Sequence, residues 1–528
     1  MQLSRRKDAV KEWLILPAGA LVTLGAYEVL AILAGLPRIL AVGRGVQSLW
    51  QSGLLPHDIA VTGARWMIGW IVGLAPGVAL GLLTGRIGAF RLGLEGFLIL
   101  LRGVPFVAIL PLMIELFGLS EAGKIGLVAF ACFTTAWLIV HTGAKSVPFS
   151  TKWRTDSLGI RGGRHLRIAL LPACKEFLWA ATRTTLGLGL LVVAVAEMTG
   201  VYERSSDIWW SEGLGYRGFR TQEEGQDAQM IATIAVFATL AIVGDRLLVL
   251  FFWVSGRLAR WHAIARARRE VLGAAKAAAS KERVTPNSLT VRNLRAWYDG
   301  MPVIEGFSMD VAEGSTIAVL GRSGSGKSTL LRAIGGLAGG GFRWQGEIRG
   351  AAQSRMDVGL VLQGAPTFEQ LTVWEHVQVG ERLRALSKPQ RTARAKQLLE
   401  RFGLINCYDQ CVETLSTGQR QRVAFATAIA NQPKLLLLDE PFSNLDYAMR
   451  LEMQRFFREN IYGNSTAVFV THDPDEALLV ADSVIVGFKG SHRVAIERTP
   501  GDFAIWLQSR EFVQQRAKLL SKLRSGGT

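Results

Sequence analysis

The 528-residue chain is 49% hydrophobic and only 20% charged, with a mean hydropathy of +0.24, whereas a soluble globular protein carries about 25% charge. That apolar content excludes a disordered chain, and four cysteines are too few for a disulfide scaffold. The formal net charge of +17 suits nucleic acid or an anionic membrane surface, and its placement along the chain decides between them.

Residues 1–283 hold 31 basic and 19 acidic residues, between long and nearly uncharged apolar runs. A helix that crosses a bilayer core needs about 20 mostly apolar residues. Six stretches meet that length: 13–35, 64–84, 92–117, 122–142, 177–199 and 229–254. Pro105 and Pro111 interrupt the third, which predicts a bent or broken span there. Basic clusters precede the first span (Arg5, Arg6, Lys7, Lys11) and follow the last (Arg257, Arg260, Arg266, Arg268, Arg269). Others lie in the second loop (Arg86, Arg91) and the fourth (Lys145, Lys152, Arg154, Arg161, Arg164, Arg167). With six spans all of these fall on one side, and the positive-inside rule makes that side the cytoplasm. Both termini and the second half of the chain are then cytoplasmic. This topology absorbs much of the basic surplus without nucleic acid.

The basic N-terminus ahead of a long apolar run reads as a retained signal anchor. Trp209 and Trp210 lie in the last external loop, either as interface anchors or packed in a short external helix. A charge within a membrane span costs about 2.5–3.5 kcal/mol on insertion scales and is functional by default, which singles out Arg102 and Glu197, with Glu115 behind them. Arg102 either attracts an anion in the pathway or pairs with an acid. Glu197 would repel an anion, so gating or helix pairing suits it better.

Residues 270–288 (VLGAAKAAASKERVTPNS at their core) lack an apolar period and end near Pro286, which predicts a linker. Residues 1–269 then form the membrane domain and 289–528 a soluble α/β domain. In the latter, the β-branched strand TIAVL (316–320) runs into Gly321-Arg-Ser323-Gly324-Ser-Gly326-Lys327-Ser328-Thr329 and a helical segment. Glycines at this spacing let backbone N–H groups curl around phosphates, and the helix N-terminus adds its positive dipole end. Lys327 is placed to neutralise the β- and γ-phosphates and Ser328 to ligate Mg²⁺. A second buried strand, LLLL (435–438), ends in Asp439 and Glu440. Asp439 is placed to hold Mg²⁺ and Glu440 to polarise the attacking water, with Pro441 ending the strand.

These motifs resemble the ATPases of ABC transporters. Leu415-Ser416-Thr417-Gly418-Gln419 resembles the family signature, with Thr417 where Gly is common. Gln363 resembles the Q-loop glutamine, Ser443-Asn444-Leu445-Asp446 the D-loop, His472 the switch histidine and Tyr298 the aromatic that stacks on adenine. The resemblance implies ATP and Mg²⁺ as cofactors. It implies catalytic roles for Glu440, His472, Gln363 and Lys327, and metal contacts from Ser328, Gln363 and Asp439. Nucleotide contacts would come from Tyr298, the phosphate loop, and Ser416, Gly418, Gln419 and Asp446, the signature loop acting across a head-to-tail dimer. The other histidines have no such context, and Cys407 and Cys411 lack further ligands.

Residues 153–172 (WRTDSLGIRGGRHLRIALLP) resemble the cytoplasmic loop of binding-protein-dependent ABC importers through Gly159, Ile168, Leu171 and Pro172, but Trp153-Arg154-Thr155 stands where that family carries EAA. Arg102-Gly-Val-Pro105, Leu110-Pro111-Leu112, Phe117-Gly118 and Val193–Met198 resemble the nitrate/sulfonate/taurine branch. The fold expected from the resemblance is an all-α six-helix transmembrane permease of the type I importer kind, followed by an α/β P-loop ABC ATPase. The expected function is ATP-driven import of a small anion of the nitrate, sulfonate, taurine or bicarbonate class. The chain would pair with itself or a second half-transporter and depend on a separate extracytoplasmic binding protein, with no nucleic acid partner. The alternative is an ABC exporter of a lipid or small hydrophobic compound, against which the short cytoplasmic loops stand.

Overall fold

The computed structural model describes residues 24–86, 88–117, 120–198, 213–272, 288–337, 341–350, 357–363, 367–380, 385–443, 445–460, 465–487, 492–496 and 506–525. Trp209, Trp210, Asn444 and most of the expected linker lie outside these residues, and so does the side chain of Arg102. The chain forms two compact units, one of residues 1–146 and 173–255, the other of residues 147–172 and 256–528.

The first unit is helical. Among the described residues, four helices are long and apolar enough to cross a membrane: Leu54–Arg86, Glu121–Ser146, Lys175–Met198 and Asp227–Val271. The pair Leu24–Ala34 and Ile39–Gln51, bent by 101°, makes a fifth if it counts as one span. The expected third span is not a single helix. Gly88–Gly103 is followed by a 3₁₀ turn at Phe106–Ile109 and a short helix at Leu110–Phe117. The break falls at Pro105, which has no N–H to continue the helical ladder and whose ring crowds the preceding turn.

The helices Leu54–Arg86 and Glu121–Ser146 pack along a stripe of glycines four residues apart: Gly69, Gly73, Gly77, Gly81 and Gly85. A methyl group at Gly77 would sit 2.7 Å from the Phe133 carbonyl oxygen, and one at Gly81 2.7 Å from Val140 Cβ. Small residues at this spacing let two backbones approach closely, which is how helices associate where lipid removes the hydrophobic driving force. Trp66 closes the packing on the third helix, its indole N–H donating to the Leu186 carbonyl at 2.8 Å.

The second unit is α/β. Three antiparallel strands in the order β2-β1-β4 are β1 (Leu289–Tyr298), β2 (Met301–Val311) and β4 (Phe342–Arg349). A six-stranded sheet runs β5-β6-β7-β3-β8-β9. It comprises β3 (Thr316–Leu320), β5 (Val358–Val361), β6 (Leu435–Asp439), β7 (Thr466–Thr471), β8 (Ser483–Val486) and β9 (His492–Ala495), parallel except for β9. β3, β6 and β7 are buried along their whole length, as expected of parallel strands covered on both faces. Their parallel register carries the ends of β3, β6 and β7 to one edge, where the loops that follow them meet.

The helix Asp227–Leu272 is 46 residues long and continues past its apolar part into this unit. Ala267 and Val271 join the hydrophobic core of this unit. Trp374 donates its indole N–H to Glu270 at 2.9 Å, and Arg268 pairs with Asp409 at 2.8 Å. Residues 256–272 therefore group with the α/β fold, although the sequence places the domain boundary at 269.

Candidate functional site

The phosphate-loop sequence forms the turn that its glycines predict. Gly324 and Gly326 have φ of +80° and +94°, a region that side chains with Cβ rarely occupy. Gly326 caps the helix Lys327–Ile334. The Lys327 ammonium folds over the loop, donating to the carbonyls of Gly321 and Arg322 at 2.9 Å each. Burial holds it below its usual pKa, against the opposing pull of Glu440 and Asp439. Ser328 donates its hydroxyl to Asp439 at 3.0 Å. Burial raises the Asp439 carboxyl above its usual range, and the Ser328 hydrogen bond offsets part of the rise.

Glu440 is the centre of the site. The amide of Gln363 donates to Glu440 Oε2 at 2.9 Å, His472 Nδ1 lies 3.1 Å from Oε1, and Lys327 Nζ is 4.0 Å away. Glu440 itself has φ +44°, a left-handed conformation that costs a non-glycine residue of order 1–3 kcal/mol and marks functional sites when the surroundings enforce it. Its N–H bonds the Val470 carbonyl at 3.0 Å, and Pro441 follows directly. The twist at the strand end turns Glu440 toward the phosphate loop while Asp439 stays buried. Lys327, Ser328, Gln363, Asp439, Glu440 and His472, spread over 146 positions from first to last, thus converge.

The site fits ATP and Mg²⁺. The Ser325 hydroxyl is a buried group without a hydrogen-bond partner beside the loop, and the Ser328–Asp439 pair is the hydroxyl–carboxylate set suited to a hard cation. When bound, Mg²⁺ supplies charge neutralisation on the phosphate oxygens.

Ser416, Gly418, Gln419 and Asp446 stand apart from this cluster. Ser416 caps the helix Thr417–Ala430 in a reciprocal box, its hydroxyl accepting from the Gln419 N–H and its own N–H donating to the Gln419 side chain. Gly418 is buried against Met449. Asp446 is exposed and accepts from the Met449 N–H at 2.9 Å. Among the described residues, no hydrogen bond or ion pair joins these groups to the phosphate loop. Tyr298 is half-buried, its ring 5.2 Å from that of Phe342 and its hydroxyl accepting from Arg332.

A family model for ABC transporters matches residues 304–443, and one described as binding-protein-dependent transport system inner membrane component matches residues 77–252. The chain is 40% identical over 214 residues to the sulfate/thiosulfate import ATP-binding protein CysA of Pseudomonas syringae pv. tomato, covering 38% of this chain and 65% of that protein. It is 42% identical to the protein of the same name from Bradyrhizobium diazoefficiens, covering 38% and 62%. With the Escherichia coli K12 protein of that name the identity is 36%, covering 45% of this chain and 68% of that protein. The chain belongs to the ABC transporter family. It spans 62–65% of the length of the first of these curated relatives.

Within the second unit, the importer-type loop lies against the ABC ATP-binding fold. Leu158, Ile160 and Ala169 pack with Phe368 and Val379 in one apolar cluster. Arg164 donates to the Val379 carbonyl and Gln370 to the Ile168 carbonyl, both at 2.7 Å. The Arg154 guanidinium lies 5.2 Å over the Phe368 ring. Burial pushes the neighbouring His376 down to about 3, with the Arg154 charge acting in the same direction, so this histidine stays neutral and its ring accepts from the Phe368 N–H at 3.0 Å.

Trp153, at the position where the importer family carries an acid, is buried with its ring 4.4 Å from the Arg332 guanidinium. Arg332 is on the helix that Lys327 begins and also lies 5.5 Å over Tyr298. A cation–π contact therefore stands at the position where the importer family carries an acid. Sequence reasoning missed Arg332. The signal was the aromatic standing in place of an acid, since a ring face can hold a guanidinium as an acid would.

Proposed function

We propose that this chain is half of an ATP-driven importer that hydrolyses ATP to move a small oxyanion inward, with permease and ATPase fused. Residues 289–528 act as the ATPase. Residues 1–269 act as the permease, and its loop 147–172 and helix 256–272 grip the ATPase fold. The observation that carries this reading is the convergence of Gln363, His472 and Lys327 on Glu440, beside the Ser328–Asp439 pair. In that arrangement Glu440 orients water and takes its proton, His472 and Gln363 fix the carboxylate, and Lys327 steadies phosphate charge. Ser416 and Gly418, exposed or set at a helix start, suit closure of a second copy's site, so the active particle is a dimer of this chain or a pair with another half-transporter.

The importer direction rests on the inner-membrane component match and on the short loop docked at residues 368–379. The basic loops favour both termini and the ATPase in the cytoplasm. A separate extracytoplasmic binding protein delivers the solute. Similarity to sulfate/thiosulfate import proteins in the ATPase half and the resemblance to nitrate/sulfonate/taurine permeases both favour an oxyanion.

Two measurements test the proposal. Glu440→Gln is expected to retain ATP binding and to slow hydrolysis by at least ~10²-fold; near-normal turnover refutes the role of Glu440. Uptake of sulfate, thiosulfate, sulfonates, nitrate and bicarbonate is measured in vesicles with and without candidate binding proteins. Binding-protein-dependent uptake of one of these anions is expected, and robust uptake without any binding protein overturns the importer mechanism.

A further inference from the structure

Within the first unit, Arg65 is 2% exposed and Lys124 5% exposed, both on helices long and apolar enough to span a membrane. Buried cations need compensating anions. Glu197, fully buried, is one. It accepts from Arg65 Nη1 at 2.8 Å, from the Thr62 hydroxyl at 2.9 and 3.0 Å, and from the Gly215 N–H at 2.9 Å. The same hydroxyl of Thr62 accepts from the Leu214 N–H at 2.9 Å. These bonds tie Glu197 to the start of the helix Leu214–Glu223 and leave it no freedom to exchange. The backbone at Gly213 passes directly against the Glu197 carboxylate, since a methyl group there would meet it.

The second compensating anion is of another kind. Glu121, in the first turn of its helix, is 42% exposed. It takes the remaining edge of the Arg65 fork with both carboxylate oxygens, Arg65 Nε and Nη2 each donating at 2.5 Å, and sits 3.5 Å from Lys124 Nζ. Two buried cations are thus balanced by one locked buried acid and one solvent-facing acid. The fork edge and ammonium that Glu121 occupies have the planar, two-donor geometry that suits a carboxylate, sulfate, sulfonate or phosphate.

We propose that Arg65 and Lys124 form an oxyanion seat in which the Glu121 carboxylate is an exchangeable, tethered occupant, and that a small oxyanion from solution replaces it. The seat lies at the end of the spans away from the basic loops. Under the importer reading, on which its use in transport rests, that is the side from which the solute arrives. A tethered competitor weakens binding in the resting protein, because a short tether gives an effective concentration in the millimolar range, and it allows an arriving anion to enter only by displacing an internal charge.

The test uses the purified full chain in nanodiscs, without nucleotide or binding protein, and radiolabelled sulfate as the probe. Glu121→Gln removes the competitor while keeping its shape. Sulfate binding is expected to tighten by ~10-fold or more relative to wild type, as expected when a millimolar intramolecular competitor is removed. Lys124→Gln in the Glu121→Gln background should weaken it several-fold. Methanesulfonate should compete and chloride should not at equal concentration. Thermal stability of Glu121→Gln should rise with added sulfate, the expected linkage for a ligand that binds only the folded state. Glu121→Ala serves if the amide variant does not fold.

Sulfate binding no tighter in either Glu121 variant than in wild type overturns the proposal, as does binding indifferent to Lys124→Gln or matched by chloride. Such a result would leave the importer reading standing, since no step of the assay involves ATP or uptake. Conversely, tight sulfate binding with no uptake would count against the importer reading alone.

Discussion

Glu476, four residues beyond His472, is a buried acid whose titration bears on stability. It is 4% exposed, accepts from the Thr471 hydroxyl at 2.5 Å and lies 3.9 Å from Arg450. Burial pushes its carboxyl up to about 7, against the Thr471 hydrogen bond that pulls it down. Between the unfolded carboxylate range and pH 7 the folded protein holds a proton that the unfolded chain has released, so stability falls as pH rises through that window. Glu476→Gln removes this term. The variant should lose less thermal stability than wild type between pH 5 and pH 8, and Tm measured across that range checks it; parallel profiles would refute the assignment. His472 follows the same strand, two residues before Pro474 starts the next helix.

At the scale of elements, the helix Lys327–Ile334 joins two tasks. Its N-terminus shapes the phosphate loop, and its last turn presents Arg332 to Trp153 and Tyr298. A cation–π contact is worth about 0.5–1 kcal/mol at exposed sites and about 2 kcal/mol when the groups are desolvated. Trp153→Leu should therefore lower the solute moved per ATP hydrolysed by roughly two- to thirtyfold, the range that energy corresponds to. Trp153→Phe, which keeps a ring face, should stay near wild type. Uptake and ATPase rates measured on the same vesicles give the ratio, and an unchanged ratio in Trp153→Leu would show that Arg332 does not transmit through the ring. The helix Asp227–Leu272 adds a second connection, because Arg268 and Glu270 bind Asp409 and Trp374 of the α/β fold.

At the scale of the whole molecule, the residues proposed to be catalytic gather in one place, while Ser416 and Asp446 stand exposed at other helix starts. Under the proposed function, one chain holds two halves of different sites. Lys327→Ala and Ser416→Ala should each reduce hydrolysis by ~10²-fold, the scale of removing one electrostatic contact to the reacting phosphate. Mixing the two variants so that pairs form should restore a fraction of activity, since one composite site in each mixed pair keeps both residues. Chemical crosslinking confirms that mixed pairs are present; no recovery in such pairs would mean either that the two residues do not act across the dimer or that both sites must act together, and a structure with ATP, by showing which copy's Ser416 touches the phosphate, separates the two.

Residues close in sequence carried most of what could be read in advance. The phosphate loop, the strands around Leu435–Leu438 and the helix start at Ser416 depend on neighbours within a few positions, and backbone geometry acts at that range. The break at Pro105 was legible for the same reason. Glu197 was legible as an exceptional charge but its partner was not, because Arg65 lies 132 positions away and only helix packing brings them together. Glu440 was legible as a strand-end acid, whereas its left-handed backbone and its bonds to Gln363 and His472 depend on where three parallel strands end. The glycines from 69 to 85 held an unread signal in their four-residue spacing, whose meaning required the opposing helix. The grouping of residues 147–172 and 256–272 with the ATPase fold was likewise set by packing: apolar and charged side chains there are satisfied by surfaces hundreds of residues away, a relation that no local pattern encodes.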